Sequence, residues 1–137
     1  MRNAVQRIDT STASIELIAP RFVEQRYKSD ARIVTGVFDE NRKARWKVAG
    51  GVPCVVLIIL PAELQLHTPS TNEDHYRADS AARSIIALAV VAQTMAVNTA
   101  AKFYFRYYAQ AFEARVFDDE EDARAWLLEE LERVPPR

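Results

Sequence analysis

Glycine, cysteine and histidine are scarce in this chain of 137 residues, and each scarcity excludes a class of site. The three glycines, Gly36, Gly50 and Gly51, are too few and too widely placed for the glycine-rich loops that hold nucleotide phosphates. One cysteine, Cys54, excludes an internal disulfide and a multi-cysteine zinc site. The two histidines form neither an HExxH motif nor a His/Cys cluster. We therefore expect no metal and no cofactor.

A charge excess and long apolar runs are absent as well. Eighteen basic and 19 acidic residues give a formal net charge of -1, so no overall field attracts nucleic acid. No segment reaches the roughly 18 apolar residues that a membrane-spanning helix needs, and the first residues lack the apolar region of a secretory signal. With a single cysteine, these features predict a cytoplasmic protein that has no transmembrane segment and does not bind nucleic acid.

The length fits one domain with one core. Residues 1–13 are polar, and we expect them to form a flexible N-terminal arm before a single domain at residues 14–134. Alternating apolar and polar residues predict two short antiparallel strands at the start of this domain. Two continuous apolar runs, residues 54–60 and 84–92, predict buried central strands.

Helices are expected between these strands. Asp39 is placed to cap a short helix that ends at the Gly50-Gly51 pair, and a second helix is predicted over residues 71–83. Thr94 is the predicted N-cap of a third. Alternating strands and helices predict an α/β domain whose mixed sheet has antiparallel N-terminal strands followed by parallel strands, covered by about four helices.

The last quarter of the chain predicts a strand, a cap and a helix in succession. The strand contains Val116 and Phe117, and Asp118 followed by Glu121 resembles an acidic capping box. The helix that follows has its apolar residues at helical spacing, and these are Ala123, Trp126, Leu127, Leu131 and Val134.

Several of these segments together resemble a known family. The strand PCVVLII, the capped helix beginning at Ser70, the helix AAKFYFRYY and the ending ARVFDDEEDARAWL are similar to the small SpoIIAA-like proteins of the STAS/SEC14 group, over about residues 14–132. The resemblance implies a non-enzymatic domain that docks to a regulatory protein. It also implies a phosphorylated serine after the central strand, for which Ser70 is the nearest match and Thr71 its neighbour. The SEC14 side of the group implies an alternative, binding of a small apolar ligand or lipid.

Ser70 has two interpretations from the residues themselves. Ser70 and Glu73 form an S-x-x-E capping box, which explains the serine as a plain N-cap. A phosphate at the same position would meet free backbone N–H groups and the positive end of the helix dipole, so Ser70 and Thr71 are also a candidate phosphorylation or anion site.

Other polar groups give weaker signals. His75 and Asp79 lie one helical turn apart and are the candidate pair for an enzyme with a general base, the least supported function. Cys54 begins an apolar strand, and we expect a buried, inert thiol. The basic run RKARWK, which contains Trp46, is interpreted as a solvated helix face.

The aromatic helix carries the most unusual pattern. Its inward stripe is predicted to contain Val97, Ala100, Ala101, Tyr104, Phe105, Tyr108 and Phe112. Phe103 points away from that stripe, near Met95 and Ala96, with Tyr107 between the two faces. A large exposed aromatic residue grouped with apolar neighbours indicates an association surface, so these four residues are the candidate interface of a homodimer.

Overall fold

The structure is a computed structural model that describes residues 6–34, 36–62, 65–66 and 74–134, with residues 33, 65 and 66 described by their backbone alone. The elements, in chain order, are β1 (Arg7–Asp9), β2 (Ala13–Ala19), β3 (Phe22–Tyr27), β4 (Arg32–Ile33), α1 (Val37–Ala49), β5 (Cys54–Ile59), β6 (Gln65–Leu66), α2 (Arg77–Ala82), β7 (Ile85–Val91), α3 (Met95–Tyr107), β8 (Glu113–Phe117) and α4 (Glu120–Glu132).

The main sheet has the strand order β1-β2-β3-β5-β7-β8. The first three strands pair antiparallel, and β3, β5, β7 and β8 pair parallel. β4 and β6 form a separate two-stranded parallel sheet. The prediction of one α/β domain with antiparallel N-terminal strands, later parallel strands and about four helices is confirmed for the part of the chain that the structure describes.

Different helices cover the two faces of the sheet. α1, α2 and α3 connect parallel strands whose order advances in one direction, so right-handed crossovers place all three on the same face. On that face Val48 of α1 belongs to the core that contains Ile58, and the partly buried Tyr104 of α3 packs against this core. α4 follows the last strand and packs on the opposite face, where Trp126 belongs to the core that contains Leu57.

β5 and β7 are the buried central strands predicted from the two apolar runs. Every residue of β5 is buried, as is nearly all of β7. Successive side chains of a strand point to opposite faces, so β5 supplies both cores. Cys54, Val56 and Ile58 lie in the first core, and Val55, Leu57 and Ile59 in the second.

Residues 1–13 were predicted to be a flexible arm, and the described part of this segment differs, because Arg7–Asp9 is an edge strand paired with β2. Thr10 and Thr12, which follow β1, are buried although they are polar. The Thr10 hydroxyl donates to Asn41 Oδ1 at 2.7 Å, and Asn41 Nδ2 donates to the Thr12 hydroxyl at 3.2 Å. These bonds satisfy the buried polar groups and attach the segment to α1.

The starts of α1 and α2 also differ from the predictions. α1 begins at Val37, before the predicted cap Asp39, because Gly36 takes a left-handed backbone with a φ of 65° and its carbonyl accepts the Glu40 N–H. α2 was predicted over residues 71–83, of which 71–73 lie outside the described residues. It begins only at Arg77, because the Asp74 carboxylate accepts the Tyr76 N–H in a local turn.

The caps of α3 and α4 had different outcomes. Thr94 caps α3 as predicted, accepting the Val97 N–H at 3.3 Å. The cap of α4 is Asp119, which accepts the Asp122 N–H at 3.0 Å, so the prediction of Asp118 is wrong by one residue. The chain stays paired through Phe117, whose carbonyl accepts the Ala92 N–H, and Asp118 therefore lies in the connection between β8 and α4.

Candidate functional site

The outer face of α3 is an exposed surface with several large apolar side chains. We use this name for the exposed residues of the helix, which are Met95, Ala96, Thr99, Lys102, Phe103, Arg106 and Tyr107. Met95 is 84% exposed, Phe103 61% and Tyr107 80%. At about 100° per residue, Ala96, Phe103 and Tyr107 fall within an arc of about 40°, with Met95 at the flank. Ala96, Phe103 and Tyr107 therefore share one exposed stripe, and Met95, about 80–120° from these three residues, lies at the edge of the same outer face.

The inner side of α3 is less buried than predicted. The stripe residues within the helix and Tyr108 are only half-buried, and Phe112, beyond the helix, is fully buried. α3 therefore lies against the domain with much of its surface in solvent.

Charge on the outer face of α3 has one sign. Lys102 and Arg106 are its charged residues, and α3 contains no acidic residue. The Arg106 guanidinium carbon lies 5.8 Å from the centre of the Phe103 ring, a cation–π distance. This face combines aromatic residues, a methionine and an arginine, which are residue types enriched in protein interfaces, with Lys102, a type that is depleted there.

A group of stacked aromatic rings attaches α3 to the rest of the domain. The His75 and Phe38 rings stack at 3.7 Å with an angle of 7° between their planes, and the His75 and Tyr104 rings are 6.3 Å apart. The Tyr104 hydroxyl also accepts the His75 backbone N–H at 2.9 Å. His75 is therefore held between α1 and α3 as a packing residue.

Asp79 does not form the predicted pair with His75. Its Oδ2 accepts from Arg45 Nη2 at 3.0 Å and its Oδ1 accepts from the Ser84 hydroxyl at 3.0 Å. Arg45 Nη1 donates in turn to Gln25 Oε1 at 2.7 Å. Both carboxylate oxygens are occupied within this buried cluster, so Asp79 has a structural environment and not that of an orienting group for a catalytic base.

Arg45 lies in this buried cluster, contrary to the prediction for the basic run that contains it. The basic run was interpreted as a solvated face, and Arg42 and Lys43 do pair with Asp39 on the surface. Arg45 is instead buried, because it lies four residues after the buried Asn41 on the inner side of α1. Asn41 and Arg45 fall, by helical spacing, on the same side of α1 as its apolar stripe. This spacing was the signal in the sequence that Arg45 is buried and needs an acidic partner.

A small cavity lies beside the ion pair, between α1 and α2. Its volume is about 90 Å³, and its lining includes Trp46, Cys54, Asp79 and Ser84. Pockets for drug-sized ligands have volumes of about 300–1,000 Å³, so this cavity is too small for a lipid. Burial raises the pKa of the Cys54 thiol to about 11 against a weaker opposite effect of Arg21, which keeps the thiol protonated and unreactive at neutral pH.

The candidate phosphorylation or anion site, Ser70 and Thr71, lies outside the described residues. Within the described ranges no cluster of three or more His, Cys, Asp or Glu residues is placed to hold a metal ion. The helices of that part of the chain are all too short or too polar to cross a membrane. No family model, curated protein or solved structure matches the chain.

Proposed function

We propose that this α/β domain is a non-enzymatic, STAS-like interaction or regulatory domain that acts through the outer face of α3, by self-association or by docking to a regulatory protein. The observation that carries the proposal is the grouped exposure of Met95, Phe103 and Tyr107 on one helix face. The proposed setting is the cytoplasm, where the single thiol of Cys54 stays reduced.

The energetic argument concerns Phe103. Removing one such side chain from water stabilises a complex by roughly 1.5–3 kcal/mol, and its aromatic neighbour Tyr107 adds to that gain. Aromatic residues and arginine are also the residue types that dominate binding energy in protein interfaces. A second copy of the chain is the partner that we propose first, because symmetric dimers are the commonest soluble assemblies.

The alternative of a small apolar ligand or lipid has less support from the described residues, because the cavity beside Arg45 and Asp79 is small. An enzyme that uses His75 with Asp79 has the least support, since the carboxylate is engaged by Arg45 and Ser84.

Sedimentation equilibrium of the wild type and of Phe103→Glu tests the proposal. We expect the wild type to associate at micromolar concentration and Phe103→Glu to weaken association by at least tenfold, since the contact then loses the aromatic side chain that it would bury. Leu128→Glu is the matched control, because Leu128 is 51% exposed on α4, on the other face of the sheet. A wild type that stays monomeric at high micromolar concentration excludes self-association, and a Phe103→Glu protein that associates like Leu128→Glu excludes this surface.

A further inference from the structure

β8 is an edge strand with hydrogen-bonding groups directed away from the sheet. The Phe117 carbonyl accepts the Ala92 N–H at 2.8 Å, so the backbone groups of Phe117 face β7. In a strand the direction of these groups alternates, and the N–H and C=O of Ala114 and Val116 therefore point outward. Among the described residues no hydrogen bond is recorded for these four groups. A free edge of this kind is a template for another strand.

The side chains along this edge carry opposite charges in alternation. Glu113 and Arg115 are both exposed, and Arg115 Nε lies 2.8 Å from Glu113 Oε2. The Arg115 guanidinium carbon lies 4.9 Å from the centre of the Trp126 ring, which holds this side chain on the face covered by α4. The edge therefore presents one acidic and one basic group on the same face.

We propose that β8 pairs antiparallel with β8 of a second copy of the chain, with Ala114 on the two-fold axis. In this register the outward N–H and C=O groups of Ala114 meet those of its counterpart. Glu113 then lies opposite Arg115 of the second copy, and Arg115 opposite Glu113, both in the closely spaced pair geometry of about 4.5 Å between Cα atoms.

Charge selects this register over its neighbours. With Arg115 on the axis, two guanidinium groups would face each other, and with Val116 on the axis Glu113 would face the acidic Asp119. Like charges directly opposite one another destabilise a strand pair, whereas opposite charges stabilise it. Only the register centred on Ala114 gives two complementary pairs, so the edge fits a second copy of itself.

The pairing deepens the docking branch of the proposed function, on which it rests for the role of α3: with β8 as the contact between the two copies, the outer face of α3 is left to bind a regulatory protein. The two-fold axis of such an antiparallel pair is perpendicular to the sheet, so the two sheets join and both α3 helices lie on the same face. The dimer would therefore present two outer faces of α3 side by side. Two identical docking surfaces on one particle increase the apparent affinity for a bivalent or clustered partner.

Charge reversal tests the register. Glu113→Arg places like charges at both cross-strand contacts, as does Arg115→Glu. Each variant alone should raise the dimer dissociation constant roughly tenfold, because it replaces two attractive cross-strand pairs by two repulsive ones. The double variant Glu113→Arg/Arg115→Glu restores both pairs and should return to the wild-type constant. An equimolar mixture of the two single variants should form a heterodimer more tightly than either forms a homodimer. Sedimentation equilibrium and native mass spectrometry, with each variant marked by its mass, measure these constants.

Each outcome decides between the two surfaces. Rescue in the double variant and in the mixture supports the β8 pairing. A dimer that is weakened by Phe103→Glu but indifferent to all charge variants overturns the pairing and leaves the α3 proposal standing. A dimer with the charge-reversal pattern that is indifferent to Phe103→Glu supports the pairing and excludes α3 from self-association. A monomeric wild type overturns the pairing and also excludes self-association through α3.

Discussion

Arg45 of α1 and Asp79 of α2 form an ion pair at 3.0 Å in which the side chains are 7% and 5% exposed. The two helices belong to different crossovers, and this pair connects them above the sheet. Gln25 of β3 and Ser84, just before β7, accept and donate the neighbouring hydrogen bonds. A buried pair of this kind contributes little net stability compared with apolar residues, but breaking one side leaves an uncompensated charge.

Asp79→Ala should therefore lower the free energy of unfolding by about 3–5 kcal/mol, as loss of one partner of a buried pair does. The double variant Arg45→Met/Asp79→Leu should recover most of that loss, because neither charge is then buried. Denaturant titration measures both values. Asp9→Ala, which removes one partner of an exposed pair with Arg7, is the control and should change stability by less than 1 kcal/mol. If Asp79→Ala is as mild as Asp9→Ala, the pair is not a buried charge cluster.

Trp126→Ala should be among the most destabilising substitutions. Trp126 is buried in the core under α4, and the centre of its ring lies 5.7 Å from that of the Phe117 ring. The Arg115 guanidinium carbon lies 4.9 Å from the centre of the Trp126 ring. Replacing a large buried side chain by alanine lowers stability by about 3–5 kcal/mol. Leu128→Ala on the same helix is the matched control and should cost little, because Leu128 is half exposed. Equal effects of the two variants would contradict the packing of α4.

The sequence predicts those elements of the fold whose buried residues form a regular apolar pattern along the chain. β5 and β7 were read from continuous apolar runs, and α4 from the spacing of Trp126 and Leu127, because both signals depend on local sequence. The ion pair of Arg45 with Asp79 was not, since the two residues lie 34 positions apart in the chain. The short strand β1 was not either, since its three residues are too few to show a periodic pattern. The exposure of Phe103 could be predicted from helical spacing. The open edge of β8 could not be predicted without knowing the order of the strands in the sheet.

The cap of α4 gives a test at the resolution of one residue. Asp119→Ala should lower stability by about 1 kcal/mol, because it removes the acceptor of the Asp122 N–H. Asp118→Ala should have a much smaller effect, although Asp118 is the cap that the sequence pattern predicts. Thermal unfolding of both variants beside the wild type distinguishes them, and a larger loss for Asp118→Ala would place the cap one residue earlier.

The ion pair of Arg26 in β3 with Glu120 in α4 predicts that part of the free energy of unfolding is lost in acid. Both Glu120 carboxylate oxygens accept hydrogen bonds from Arg26, at 3.1 Å each, and these bonds lower the pKa of Glu120 from its ordinary value of 4.5. A carboxylate with a depressed pKa in the folded state contributes its full stabilisation above pH 4.5, and this contribution is lost as the pH falls through the folded-state pKa. The pair is partly exposed, so we expect it to contribute about 0.2–1 kcal/mol at neutral pH.

Glu120→Gln removes the titrating group and should reduce the fall in the free energy of unfolding between pH 4.5 and pH 3, measured by denaturant titration at a series of pH values. Arg26→Met should flatten the same part of the curve, because Glu120 then loses the donor that lowers its pKa most. Both variants should differ from the wild type most at neutral pH and converge with it in acid, since protonation of Glu120 breaks the same pair in the wild type. Parallel curves for the wild type and both variants across this range would show that the pair does not contribute to the acid dependence of folding.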